Sequence, residues 1–266
     1  MLKQASWVGA IFVCICTGVY AGTHTLDTTS YNFQLNNGGG GAAAVLDNST
    51  NIEIFCNDFA NPITVPHSNY SAYLTSITQG SDLSKTRFGG NTSWNTITIN
   101  DDGTDAGSND VADSAIINGS TALGRYQMAA FLVSQYNLPA GNIPTNNGIQ
   151  KAIWWLLDPT SSLSTPPSLA GNSFDSLESA AQWYQSTGGN AGSAARNTFL
   201  AGYRIVSDST MYSCGAGKAL CGGFQEQIDP IAAVPEPRQF AFMLAGLLVM
   251  CSVKLRKQLG LARVKA

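Results

Sequence analysis

The chain has 266 residues, a formal net charge of −3 at pH 7 and a charged fraction of only 12%. This length fits one large domain or two small ones. The weak negative charge excludes a broad basic surface for nucleic acid, and the excess of small polar residues over charged ones favours an exported, β-rich protein over a cytosolic enzyme.

Residues 1–21 have the pattern of a secretory signal peptide. Lys3 provides the positive start, the run from Trp7 to Val19 is apolar, and Val19-Tyr20-Ala21 brings the small residues that a signal peptidase needs. We therefore expect cleavage before Gly22 and export of the rest of the chain.

Residues 22–50 are polar and contain four consecutive glycines, Gly38 to Gly41. Such a stretch favours a flexible N-terminal arm or the tip of a hairpin. We expect the folded exported domain to span residues 51–230. Its first half has strand-like alternation in four short runs: Ile52–Cys56, Ile63–Val65, Tyr70–Ile77 and Thr96–Ile99.

An acidic run extends from Asn100 to Asp113. Its spacing does not match a calcium-binding helix-loop-helix, which needs alternating acids, a glycine and a terminal glutamate. The run favours a solvated loop, with a calcium site between Asp101 and Asp113 left as the alternative.

Helical periodicity begins at Leu123 and returns in three later segments. The segments are residues 123–133, a helix capped by Asn146 or Asn147 and stopped by Asp158-Pro159, Phe174–Tyr184, and a short turn at Ala194–Leu200. A strand, Tyr203–Val206, follows. Strands, helices and strands again predict an α+β fold in which a helical block is inserted into a β-sandwich or barrel-like sheet.

Cysteine counting singles out Cys56. Of six cysteines, Cys14 and Cys16 lie in the signal peptide and Cys251 in the C-terminal apolar run. Three remain in the exported part, so one is left without an intramolecular disulfide partner. The other two, Cys214 and Cys221, bracket a short glycine-containing loop and are expected to form a disulfide.

Gln150 is an unusual residue for its position. It lies four residues before Trp154, beside the apolar stripe formed by Ile149, Ile153 and Leu156. A half-buried amide without partners costs about 1–3 kcal/mol. We therefore expect a partner for Gln150, and Cys56 is the candidate.

Three motifs resemble the thioester domains of bacterial surface adhesins. They are the Phe55-Cys56 strand, the helix from Arg125 to Leu132, and the segment Gln150-Lys151-Ala152-Ile153-Trp154. The resemblance implies that the Cys56 and Gln150 side chains condense into an internal thioester, an electrophile for amines. Phe55, Trp154 and Trp155 are expected to line the dry pocket that this chemistry needs. The alternative is a buried structural Cys56 and a Gln150 that bonds the backbone.

The C-terminus contains Val234-Pro235-Glu236-Pro237, an apolar run from Phe240 to Val253 and then basic residues. Residues 234–259 resemble the PEP-CTERM sorting signal, which an exosortase recognises and cleaves. About fourteen apolar residues make ~21 Å of helix, so the single transmembrane sorting helix needs snorkelling Lys254 and local bilayer thinning. The basic end favours a cytoplasmic C-terminus, with the domain outside the inner membrane.

Enzyme signatures are missing from the sequence. The two histidines, His24 and His67, have no nucleophile elbow beside them and lack the spacing of a metal pair, and no phosphate-binding loop is present. We therefore expect no enzyme, cofactor or metal. Two functions stay open: a covalent adhesin that captures an amine-bearing surface ligand, and a structural or carbohydrate-binding protein of the extracellular polysaccharide matrix.

Overall fold

Six strands form a closed antiparallel barrel in the computed structural model. The structure describes residues 22–34, 40–59, 65–66, 69–94, 96–99, 110–136, 143–157, 169 and 172–231. Around the barrel the order is β1 (His24–Gln34), β2 (Gly40–Leu46), β3 (Thr50–Cys56), β8 (Gln227–Pro230), β5 (Tyr203–Asp208) and β4 (Asn69–Ser76). Two further strands, β6 (Tyr212–Ser213) and β7 (Leu220–Cys221), pair outside it.

The short strand β8 closes the barrel between β3 and β5. Gln227 lies opposite Cys56 on one side and opposite Val206 on the other. Its neighbour Ile228 likewise pairs with Phe55 and Ile205. The end of β3 that carries Cys56 is therefore paired on both sides, by β2 and by β8.

Within the residues that the structure describes, five α-helices follow β4 and precede β5. They are α1 (Asp110–Asn118), α2 (Ala122–Ser134), α3 (Ile143–Leu157), α4 (Asn172–Ser186) and α5 (Ala194–Leu200). Thr121 caps α2 by accepting a hydrogen bond from the Gly124 N–H at 3.1 Å, and Ser193 caps α5 in the same way. Side chains on α2 fix the block: Gln127 donates to the carbonyl of Ile77 just after β4, and Arg125 donates to the last turn of α3.

Two apolar clusters fill the interior. One lies inside the barrel and includes Leu26, Ile54 and Val206. The other joins the helices to the opposite face of the sheet and includes Phe55, Ile205, Ile228 and the buried faces of α2, α3 and α4. Because successive strand residues point to opposite faces, β3 and β5 contribute to both clusters with adjacent residues.

The predicted α+β fold is confirmed at this level: a barrel-like sheet carries a helical block inserted between β4 and β5. The predicted helices at 123–133, 174–184 and 194–200 and the strand at 203–206 are also present, with slightly wider bounds. The predicted transmembrane sorting helix lies outside the described residues. Among the described residues, no helix is both long and apolar enough to cross a bilayer.

Of the two alternatives for residues 22–50, the flexible arm is wrong, and a hairpin is present. β1 and β2 occupy most of this segment and pair from Leu26 opposite Leu46 to Gln34 opposite Gly40. The chain then enters β3 through a tight turn in which Asp47 and Asn48 both have positive φ angles, 51° and 58°. The small residues of β2 resemble the composition of a linker, but two of its alanines pack inside the barrel.

Three local predictions also need correction. Residues 96–99 form no strand, because the Ile97 and Ile99 backbone N–H groups donate instead to side chains of α1. The end of the predicted acidic loop is helical, since α1 begins at Asp110. Helix α3 starts at Ile143, a turn before the predicted caps, because Pro144 suits a first helical turn. Most of the predicted strand at residues 63–65 lies outside the described residues.

Candidate functional site

Cys56 and Gln150 meet in the folded chain, although 94 positions separate them. Cys56 ends β3, and Gln150 lies in the middle of α3. The Gln150 Nε2 donates a hydrogen bond to the Cys56 carbonyl oxygen at 2.8 Å. The Gln150 side chain is fully buried, and Cys56 is 5% exposed. The Gln150 amide thus lies against the Cys56 backbone, away from bulk water, and a Gln150 that bonds the backbone is also what the structural alternative predicts.

The oxygen of the Gln150 amide has two donors of its own. The Tyr136 hydroxyl donates to Gln150 Oε1 at 2.9 Å, and the Gly40 backbone N–H donates to the same oxygen at 3.1 Å. Three hydrogen bonds therefore fix the plane of this amide, with its nitrogen on the Cys56 carbonyl and its oxygen between Tyr136 and Gly40. Both bonds to the oxygen are only partly buried, so this is the side of the amide nearer to solvent.

The Cys56 thiol is buried and is not part of a disulfide. Burial, and next the carboxylate of Asp58, raise the pKa of this thiol well above its usual range, whereas Trp154 and Gln225 favour the thiolate and oppose the rise. The thiol also points to the carbonyl of Asp58, with a sulfur–oxygen distance of 3.9 Å. Cys56 is therefore a neutral thiol near pH 7 and must lose its proton during any attack on a carbonyl carbon.

Aromatic side chains surround the pair. The Phe55 ring stacks on Tyr136 with centroids 5.3 Å apart, and Trp154 is 1% exposed and packs against Phe59 at 4.8 Å. Phe55 and Trp154 therefore lie where the sequence predicted dry walls. Trp155, the third predicted wall, is half-buried and packs against the apolar cluster that joins the helices to the sheet. Of the two indoles, it is Trp154 that opposes the rise in the pKa of the Cys56 thiol.

A buried charged network supports the segment that follows Cys56. The Nε of Arg87 lies 2.6 Å from Asp58 Oδ2, and both side chains are at most 3% exposed. The Arg87 backbone N–H donates to Glu226 at 2.6 Å, and Glu226 also accepts hydrogen bonds from Asn57 and Tyr126. Gln225 donates to the carbonyl of Asp58. None of these residues was predicted from the sequence, because the sequence does not show which charged side chains become buried and paired.

Arg87 also joins this network to the disulfide loop. Cys214 and Cys221 are bonded in the structure, as expected from their spacing. The Arg87 guanidinium donates to the carbonyls of Leu220 and Gly222, on either side of Cys221, at 2.9 Å each. The loop that carries the disulfide is thereby held against the end of the barrel near Cys56.

The other predicted sites lie wholly or partly outside the described residues. The sorting motif, Val234 to Pro237, lies outside the described residues, as do residues 101–109 of the acidic run. Of that run, Asp113 lies on α1 and accepts a hydrogen bond from Gln182 at 3.2 Å. Within the described part of the chain, no group of three or more His, Cys, Asp or Glu side chains is arranged to hold a metal ion.

An open cleft of about 650 Å³ lies between the loop after β4 and the start of α2. Its lining includes Trp94, Asn91 and Asn118. An aromatic ring beside amide groups is a combination that could bind a sugar by packing and hydrogen bonding. The Asn91 amide already bonds the backbone of Ser93, however, and the Asn118 amide bonds the backbone of Ile97. Both amides are therefore already engaged in local hydrogen bonds.

Comparison with known proteins gives no match of any kind: no protein-family model matches the chain, and neither a curated protein nor a solved structure is significantly similar to it. Function must therefore be argued from the geometry of the site.

Proposed function

We propose that this protein is an exported surface adhesin that carries an internal thioester between Cys56 and Gln150 and uses it to bind an amine covalently. The observation that supports this function best is the hydrogen bond from the Gln150 amide nitrogen to the Cys56 carbonyl, which holds the amide against the one cysteine predicted to lack a partner. This bond fixes the amide beside the backbone of the nucleophile, and placing reacting groups close together is one of the ways in which a folded protein lowers a reaction barrier.

The bond-forming step conserves all atoms. The Cys56 sulfur attacks Cδ of Gln150, the S–H proton passes to the amide nitrogen, and that nitrogen leaves as ammonia. A carbon–sulfur bond replaces a carbon–nitrogen bond, with no oxidant or cofactor. The raised pKa of the thiol means that attack and proton loss are coupled, and the dry aromatic walls limit competition from water.

The product is an acyl donor for an amine. A primary amine, such as a lysine side chain on another surface, attacks the same Cδ, the carbon–sulfur bond breaks, and the amine proton returns to Cys56. The ligand then stays attached to Gln150 through an amide. Access to Cδ is easiest from the side of Tyr136 and Gly40, where the hydrogen bonds to the amide oxygen are only partly buried.

Both termini support an extracellular location for this chemistry. The signal-peptide pattern of residues 1–21 favours export, and the Val234–Pro237 motif with its apolar and basic tail favours processing by an exosortase. The body is then held at the inner membrane until it is sorted to the cell surface or the extracellular matrix. The disulfide between Cys214 and Cys221 suits an oxidising compartment.

Intact mass tests the proposal. The purified wild-type protein should weigh one ammonia less than its processed sequence, and Cys56 should resist alkylation while the protein is folded. Methylamine should open the bond and leave a methylated Gln150 with a free Cys56 thiol. Cys56→Ala and Gln150→Ala should each have the full mass of their sequences.

Gln182→Ala is the matched control, because Gln182 is an exposed glutamine on α4 and its loss should leave the ammonia deficit unchanged. A wild-type protein at full mass would contradict the thioester. Cys56 and Gln150 would then be structural, as in a non-covalent protein of the polysaccharide matrix.

A further inference from the structure

We propose that the Tyr136 hydroxyl and the Gly40 backbone N–H form an oxyanion hole for the carbonyl of Gln150, and that this hole accelerates both the closing of the thioester and its opening by an amine. This inference rests on the proposed function, and it assigns to these two residues the stabilisation of the negative charge that develops on the Gln150 oxygen.

The geometry is that of a donor pair aimed at one oxygen. Tyr136, just after α2, and Gly40, the first residue of β2, approach Gln150 Oε1 at 2.9 and 3.1 Å. Both the closing and the opening step pass through a tetrahedral Cδ whose oxygen carries the negative charge. Donors already in place at that oxygen stabilise this charge without having to reorganise.

The nitrogen side of the amide is arranged in a complementary way. Its hydrogen bond to the Cys56 carbonyl turns the departing nitrogen away from the two donors and towards the strand that carries the nucleophile. The amide therefore cannot flip without losing all three hydrogen bonds. The carbonyl that remains in the thioester stays in the same hole for the later attack by an amine.

The backbone conformation at Gly40 requires a glycine, which accounts for one residue of the Gly38–Gly41 run. Its φ angle is 142°, in a region that side chains other than glycine rarely adopt. Gly40 pairs with Gln34 of β1 at the very start of β2, and its N–H donates to the side chain of Gln150. A residue with a Cβ at this position would strain the backbone and turn the N–H away from the amide.

Tyr136 is held by the residue next to the nucleophile. Its ring stacks on Phe55 at an interplanar angle of 14°, and Phe55 directly precedes Cys56. Burial raises the pKa of Tyr136 well above its ordinary value. The hydroxyl therefore keeps its proton and stays a donor at any pH at which free amines are used as probes.

The test compares Tyr136→Phe with wild type and with Tyr184→Phe. The first substitution keeps the ring against Phe55 and removes only the donor. The control removes a hydroxyl that bonds Asn190 at 2.8 Å, elsewhere in the helical block. Each purified full-length protein is treated with methylamine, and the conversion of the ammonia-deficient form to the methylamine adduct is followed by intact mass.

We expect Tyr136→Phe to open about 100- to 1,000-fold more slowly than wild type, which is the range for the loss of one oxyanion-hole donor. A smaller fraction of the freshly purified variant should carry the thioester. Tyr184→Phe should open at the wild-type rate. Retention of the Cys214–Cys221 linkage and an unchanged unfolding midpoint show that a slow variant is still folded. A Tyr136→Phe protein that is folded but remains at full mass also supports the proposal.

Two failures are distinguishable. A wild-type protein without the ammonia deficit overturns the proposed function itself. An ammonia-deficient Tyr136→Phe protein that opens as fast as wild type leaves the thioester intact and overturns the oxyanion hole.

Discussion

Replacing Arg87 by Met should strongly destabilise the fold, because it leaves a buried carboxylate without its cation. Methionine retains much of the apolar stem of arginine but none of its charge. In the wild-type protein the Asp58 and Arg87 side chains are 1% and 3% exposed and their charged atoms lie 2.6 Å apart. The variant also deprives the carbonyls of Leu220, Gly222 and Phe224 of a donor.

The expected loss follows from this burial. Breaking a buried ion pair by removing one partner costs about 3–5 kcal/mol. The three carbonyls are only partly buried, so water can replace much of what they lose. For a domain of 150–250 residues, 1 kcal/mol corresponds to about 2–4 °C in Tm, so the melting temperature should fall by about 6–20 °C.

Urea unfolding followed by tryptophan fluorescence and far-UV circular dichroism measures the change, provided that both signals give the same transition. Lys85→Met is the control, since Lys85 is an exposed cation two residues away whose ammonium lies 5.2 Å from the Tyr73 ring centroid. It should change the unfolding free energy very little. Combining Arg87→Met with Asp58→Asn should cost less than the sum of the single changes. A loss below about 1 kcal/mol for Arg87→Met, or strict additivity, would refute the reasoning.

Two further perturbations test other parts of the fold. Burial raises the pKa of Glu226, so the folded protein holds the proton of this carboxyl group more tightly than the unfolded chain does. The unfolding free energy should therefore fall as the pH rises from the ordinary glutamate pKa through the raised one. Glu226→Gln should flatten that part of a pH series of urea unfolding, and identical profiles for the variant and the wild type would contradict the assignment. Gly148→Ala should destabilise by about 1–3 kcal/mol in the same assay, because its Cβ would lie 2.7 Å from the Asn172 carbonyl group. Gly90→Ala should not, because its Cβ would meet only the Lys218 carbonyl oxygen at an ordinary contact distance of 3.9 Å; equal effects would argue against tight packing between α3 and α4.

Helices α2 to α5 and strands β3, β4 and β5 were readable from the sequence, because they have clear hydrophobic periods, whereas α1 and the other strands were not predicted. Helix α2, with its stripe from Leu123 to Val133, and β4 are examples. Strands β2 and β8 were missed for different reasons. β2 is built from glycine and alanine, which have little β-propensity, and β8 is four residues long and depends on its two neighbours for pairing.

The meeting of Cys56 and Gln150 was predictable, because an odd cysteine and a misplaced amide each needed an explanation. The groups that hold them were not. Gly40 contributes a backbone N–H, and a backbone donor cannot be recognised from the residue type. Tyr136 lies past the end of the periodic stripe in α2, and only the folded chain places it over Phe55.

The position of β8 in the chain has a consequence for the time at which the proposed thioester can form. On the proposed route of export, the N-terminal strands emerge first and the residues of β8 emerge almost last. Until Gln227 arrives opposite Cys56, the edges of β3 and β5 stay open, and Gln225 and Glu226 are not there to contact Asn57 and Asp58. A chain truncated before β8 lacks these contacts, so on the proposed function we expect it to form the thioester less readily than a chain whose body has emerged completely.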